Sequence, residues 1–218
     1  MQLIDFLFPQ KCHQCGKVGA QWCDTCIQRI PSHTNICYAC QKISVWWKTH
    51  THCLHELAWV RVSRQYTTHL QHQLKQAKYH HKRSVLTILW NNFASRVPVH
   101  YRDMLITYVP TTRWRKNIIK WYNQSEILAY CIWNVQCIFK KNRTTLPQAS
   151  LKRKQRIENV QWAYSLIKNL DGINDIAIVD DVISTWSTLV ELAKIIHQMY
   201  PHIRVRWIIL TRHQVDTI

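Results

Sequence analysis

Glycine is almost missing from this chain, with three in 218 residues, against roughly 7% in ordinary proteins. Wherever a turn or a phosphate cradle needs φ > 0 or a backbone without Cβ, another residue must serve. Long apolar runs are missing too. No uninterrupted stretch approaches the ~18 residues of a membrane span, and Met1–Phe8 has no basic leader. A chain that neither spans a membrane nor is exported is therefore expected, and its expected location is the cytoplasm. Acidic residues are also short, 12 against 29 Lys and Arg, for a net charge of +17. The excess is uneven. Residues 61–120 carry twelve bases against Asp103 alone, a density that points to a polyanionic partner, nucleic acid or phosphate.

What the chain has in abundance is cysteine at one end and tryptophan throughout, nine and eleven residues respectively. Seven cysteines precede residue 54, as Cys12-x-x-Cys15, Cys23-x-x-Cys26 and Cys37-x-x-Cys40, with His50-x-x-Cys53 completing a fourth pair. A tight turn places two such side chains on one ion, and two turns close a tetrahedron, so eight ligands suit two structural Zn²⁺ ions. His52 and His55 stand close enough to compete with His50. A disulfide framework would need an oxidising compartment, for which there is no export signal. Metal ligation also supplies folding energy that a segment of about 50 residues lacks on its own. Cys131 and Cys137 lie in an apolar stretch and read as small buried hydrophobes.

Beyond residue 58 the pattern becomes helix and strand in alternation. Leu70, Leu74 and Ala77 recur at helical spacing, and Ser84 can cap a second helix bearing Val85, Ile88, Leu89 and Phe93. Leu105–Pro110 reads as a strand, Ser125–Phe139 as a helix, and Lys140–Arg156 as a basic connection. Asp175–Asp180 reads as a buried strand, Asp181–Trp186 as a turn, Ser187–Met199 as a helix and Ile203–Leu210 as another strand. Strand, helix and strand of these lengths imply an α/β domain with a parallel sheet. Ligands bind beyond the carboxyl ends of such strands, where Asp180 and Asp181 are expected to fall. These carboxylates can accept from ribose hydroxyls, while Ser184, Thr185, Ser187 and Thr188 at a helix start can hold a phosphate. A plain helix cap beside an acidic turn is the structural alternative.

The string Val179-Asp-Asp-Val-Ile-Ser-Thr-Trp-Ser-Thr188 resembles the phosphoribosyl pyrophosphate (PRPP) loop of type I phosphoribosyltransferases. Val109-Pro110 followed by basic residues, Tyr122-Asn-Gln-Ser-Glu-Ile-Leu-Ala129, and Thr145, Gln148, Leu151, Arg156 and Asn159 at their spacing narrow the resemblance to the ComF family. Phe8-Pro9, Lys78-Tyr79 and Leu210-Thr-Arg212 agree with it. The resemblance implies a double zinc ribbon over 1–58 and a phosphoribosyltransferase-like domain over 59–218. It further implies a part in natural transformation, with incoming single-stranded DNA as partner in the cytoplasm, at the inner face of the membrane. A competence helicase, the membrane DNA channel and DNA-protecting or recombination proteins are the implied protein partners. An active enzyme of this kind would use PRPP with Mg²⁺. Asp180 and Asp181 would then orient the ribose, residues Ser184 to Thr188 with Trp186 would form the loop, and Arg113, Arg115, Lys116 or Lys120 would neutralise pyrophosphate. Where the family has glycine, however, this chain has Trp121, Trp162 and Trp186. An indole at position 186 is expected to obstruct the cradle and leave a DNA-uptake component with little or no transferase activity. An interaction adaptor in which only the zinc module matters is a third reading.

Overall fold

A computed structural model describes residues 9–12, 14–53, 57–79, 83–111, 122–143, 161–183 and 186–213. Its centre is a four-stranded, wholly parallel sheet in the order β1-β6-β5-β2, formed by β1 (Trp59–Gln65), β2 (Leu105–Tyr108), β5 (Asp175–Ile183) and β6 (Arg204–Arg212). β3 (Phe139–Lys141) and β4 (Tyr164–Leu166) form a separate antiparallel pair. The helices are α1 (Asp24–Gln28), α2 (Thr68–Tyr79), α3 (Arg83–Ala94), α4 (Gln124–Tyr130) and α5 (Ser187–Met199). The mixed α/β architecture with a four-stranded parallel sheet is consistent with the phosphoribosyltransferase-like fold.

Each face of the sheet buries its own core, as parallel sheets require. On one face Ile106, Tyr108, Ala177, Val179, Ile208 and Leu210 pack with Leu70, Leu74, Leu89, Trp90 and Phe93 of α2 and α3 and with Leu128 and Ala129 of α4. On the other, Val60, Val62, Ile176, Ile178, Val205, Trp207 and Ile209 meet Leu189, Leu192, Ala193 and Ile196 of α5. The cysteine-rich segment joins both cores. Cys12, Trp22, Cys26, Ile27 and Ile30 belong to the first, whereas Tyr38 and Leu57 belong to the second.

That segment also closes one edge of the sheet. Ser32 pairs antiparallel with Arg64, and Lys48 with Trp59. The His33 and Gln65 amides donate to the Ser63 and Pro31 carbonyls at 3.2 and 2.9 Å. Arg64, though charged, is buried because its guanidinium donates to the Ile30 carbonyl at 2.7 Å and to Asn92 at 3.3 Å. The sheet edge is thus covered by chain rather than exposed to a second molecule.

Several boundaries differ from the sequence expectation. β5 runs on to Ile183, so Asp181 lies within the strand and not in a turn. The β-branched pair Val182 and Ile183 favours this extension, and Ile183 is itself buried, its carbonyl accepting from the His213 amide at 2.9 Å. The helix expected over 125–139 stops at Tyr130. Asn134 takes φ +36, and the Gln136 amide donates to the Ile106 carbonyl at 2.8 Å. There Val135 makes a single parallel bridge with Ile106 on the free side of β2, and the chain then enters β3, which overlaps the start of the stretch expected to be a connection. Ser84 lies one residue inside α3, which starts at Arg83. Leu105–Tyr108 and Ser187–Met199 form the strand and helix expected of them. Among the described residues no helix is long and apolar enough to cross a membrane.

Candidate functional site

The paired cysteines assemble into two clusters, Cys12, Cys15, Cys23 and Cys26 in one and Cys37, Cys40, His50 and Cys53 in the other, with ligand atoms in each within 4.8 Å of one another. A zinc ion with Zn–S near 2.3 Å sets its sulfurs roughly 3.8 Å apart, and Cys15 Sγ lies 3.6 Å from Cys23 Sγ. The donor set and spacing fit structural Zn²⁺ at both places.

The two sites are built by the same local device. In the first, the Cys12 amide donates to the Lys17 carbonyl and the Gly16 amide to the Cys12 carbonyl, both at 2.8 Å; in the second, Cys37 with Lys42 and Gln41 with Cys37 repeat the pattern at 2.9 Å. The residue just after the second cysteine of each pair is left-handed, Gly16 at φ +74 and Gln41 at φ +62. A glycine fits there without cost; Gln41 is held by its side chain, which donates to the Tyr38 carbonyl and accepts from Arg212. Amides of Cys23 and His50 point at Cys12 Sγ and Cys37 Sγ, each at 3.5 Å.

Protonation follows the same logic. Burial raises the Cys12 thiol, but amides of Cys23, Gln14 and Cys15 outweigh it and bring it down to about 6. Cys37 falls to about 7 for the same reasons, with the amides of Cys40 and His50 leading. Burial, together with neighbouring thiols, pushes Cys26 up to about 12 and Cys53 up to about 11. One thiol in each cluster is therefore ready to ionise and a metal charge is needed to ionise the deepest. His50 turns Nδ1 to Cys40 Sγ at 3.2 Å and Nε2 to the Ile43 carbonyl at 3.1 Å, the outer-shell bond that fixes a zinc-binding tautomer. His52 stacks on the His50 ring at 5.4 Å but is not in the cluster, and His55 lies outside the described residues. Cys131 and Cys137 are half-buried and belong to neither cluster.

The second candidate site lies at the carboxyl end of the sheet. β2 ends at Tyr108, paired with Val179, so Asp180 and Asp181 extend past it toward the start of α4. There Asn123 caps the helix: its Oδ1 accepts from the Ser125 amide at 3.2 Å and its Nδ2 donates to the Val109 carbonyl at 2.9 Å. Ser125 Oγ then donates to Asp180 Oδ1 at 2.7 Å, and the Asp181 amide donates to the same oxygen at 3.0 Å. Tyr108 donates to Glu126 at 3.0 Å. Burial, with the neighbouring Asp181 charge, pushes the Asp180 carboxyl up to about 7. The segment Asn123 to Glu126, whose own role the sequence did not reveal, is therefore the floor beneath the acid pair.

Ser187 and Thr188 open α5, and Trp186 is its helical cap residue at φ −74 without a side-chain capping bond. Its indole does not project from the strand end. The ring is half-buried, edge-on to Tyr38 at 5.8 Å and beneath the Arg212 guanidinium at 4.8 Å. Trp162, by contrast, takes the left-handed conformation of a glycine, φ +59. Ser184, Thr185, Arg113, Arg115, Lys116, Lys120 and Trp121 lie outside the described residues, as does the spaced segment Thr145–Asn159.

Fold and site together define a two-part protein, a cysteine-rich metal module merged with a parallel-sheet domain of phosphoribosyltransferase-like form. The double zinc ribbon domain model matches residues 3–57. The chain is 35% identical over 95 residues to Competence protein F of Haemophilus influenzae, a match covering 40% of this chain and 40% of that protein. Both findings support assignment to the ComF family.

Proposed function

We propose that this chain, a ribbon of residues 1–58 on a domain of residues 59–218, is a competence protein that handles incoming single-stranded DNA in the cytoplasm, with little or no transferase activity. The observation that carries the reading is the use made of Trp186. At the position where a PRPP loop needs a bare backbone, the chain has an indole packed between Tyr38 of the metal module and Arg212 of β6. The loop position thus serves as a joint between the two parts of the protein. The positive charge of residues 61–120 supports the nucleic-acid half of the reading. A helicase, the DNA channel and recombination proteins are the partners to test first.

Two measurements test it. In a gel-shift assay, the zinc-loaded chain retains unpaired oligonucleotide at moderate salt; no preference over duplex DNA counts against the proposal. In calorimetry with PRPP and Mg²⁺, the parent binds much more weakly than Trp186→Gly. Tight, equal binding by both would show the indole to be harmless.

That last outcome would favour a second reading, an active phosphoribosyltransferase. One observation supports it: Asp180 and Asp181 lie past the end of β2, and Asp180 is raised to about 7. An adjacent Mg²⁺–PRPP complex is the kind of charge such a pair accommodates. Asp180 and Asp181 would orient the ribose, and the Ser187 and Thr188 end of α5 would face the phosphate. Ser184, Thr185, Arg113, Arg115, Lys116 and Lys120 keep the loop and pyrophosphate roles that the resemblance implies.

A further inference from the structure

A second opening, not lined by Asp180 or Asp181, lies at the carboxyl end of the sheet, at the seam between metal module and sheet. It is a cavity of about 170 Å³ lined by His33, Thr34, Gln65, Tyr66, Thr67 and Arg212. Gln65 is the last residue of β1 and Arg212 the last of β6, while Thr67 caps α2, accepting the Leu70 amide at 3.3 Å. His33 and Thr34 come from the ribbon strand that closes the sheet edge. The cavity therefore exists only where the two parts of the protein meet.

No acid lines it. Arg212 has no carboxylate partner among the described residues. Its guanidinium is instead pre-oriented, lying on the Trp186 ring and donating through Nη1 to Gln41, and the rest of its fork makes no hydrogen bond among the described residues. His33 stands close enough to feel that charge, and its Nδ1 is 2.8 Å from the Thr34 carbonyl. A fixed fork, an imidazole, two threonines and a tyrosine converge on one space. Ligand pockets for whole nucleotides or drug-sized molecules run to about 300 Å³ and above, so this volume suits a single small anionic group.

We propose that this cavity is an oxyanion site that takes one phosphate group, with Arg212 as its fork and His33 and Thr34 as the module's contribution. The group can be a phosphomonoester, as in a sugar phosphate, or one phosphodiester of a nucleic-acid backbone. The site stands apart from the acid pair and does not depend on whether a sugar phosphate binds there.

The test is calorimetric titration of the zinc-loaded full chain with inorganic phosphate. Ribose 5-phosphate and an oligothymidylate without terminal phosphate serve as competitors. Saturable binding is expected, weakened about tenfold or more in Arg212→Met and less in His33→Gln. Arg212→Lys, which keeps the charge but not the fork, should also bind more weakly and serves if Arg212→Met fails to fold. Asp180→Asn should bind phosphate like the parent, which separates this site from the acid pair. Competition by ribose 5-phosphate alone assigns a monoester, and competition by the oligonucleotide assigns a diester. Absence of saturable binding, equal affinity in the parent and both Arg212 variants, or phosphate that neither competitor displaces would overturn the proposal.

Discussion

Trp162 sits at φ +59 with its side chain 75% exposed, and its amide donates to Glu191 at 2.9 Å. A left-handed residue with a Cβ costs about 1–2 kcal/mol, and glycine gives back roughly 0.5–1 kcal/mol in unfolded-state entropy. Trp162→Gly should therefore stabilise the chain by up to about 1 kcal/mol, read as a higher urea midpoint; a lower midpoint would mean that the indole contributes packing. Asp180 gives a pH-dependent prediction. Its carboxyl is raised from 3.8 to about 7, so the folded chain holds the proton more tightly than the unfolded chain does. Stability on this account is full below the unfolded value and falls as pH rises through the folded one. Asp180→Asn keeps an acceptor for Ser125 and the Asp181 amide but cannot ionise. Its advantage in melting temperature should be greater at pH 8 than at pH 5, and a constant gap would contradict the assignment.

At the level of elements, the start of α5 is tied to the second metal site. Tyr38 lies between Cys37 and Cys40 and touches Trp186, while Gln41 holds Arg212, which lies over the same ring. Cys53→Ser should loosen this corner, raising amide exchange in the first turn of α5. Cys26→Ser should act instead on α2 and α3, whose core it shares. Equal exchange at α5 in both variants would show no such tie. The strand-helix-strand unit from β5 through α5 to β6 was legible because period and length agreed and Pro201 stands just past the helix. The end of β5 was not, since an acid pair reads as a turn, and it took pairing of Val182 and Ile183 with β6 to override that reading. The helix over 125–139 overran for a similar reason: apolar spacing continued, but the edge of β2 captured Gln136. Cysteine spacing revealed both metal clusters, whereas the contact of Ser125 with Asp180, 55 residues apart, left no trace in local sequence.

Across the whole molecule, the two metal sites and the sheet share their cores, so metal and fold are linked. Two zinc ions per chain are expected by elemental analysis. Chelation should lower the melting temperature in a single transition that also abolishes the helical signal of the α/β part. Two separated transitions would mean that the ribbon folds independently. The proposed DNA binding, if driven by the basic excess, should weaken steeply with salt, with log affinity linear in log salt concentration.

The ribbon's grip on β1 has a practical consequence for genetics. A chain lacking residues 1–58 would present a bare β1 margin and the apolar ground once covered by Trp22, Ile27 and Ile30. Such a fragment would associate with copies of itself or be degraded, and its failure in the proposed role would say nothing about what the ribbon recognises. Single substitutions at outward residues such as Trp46, which leave the seam intact, are the informative lesions.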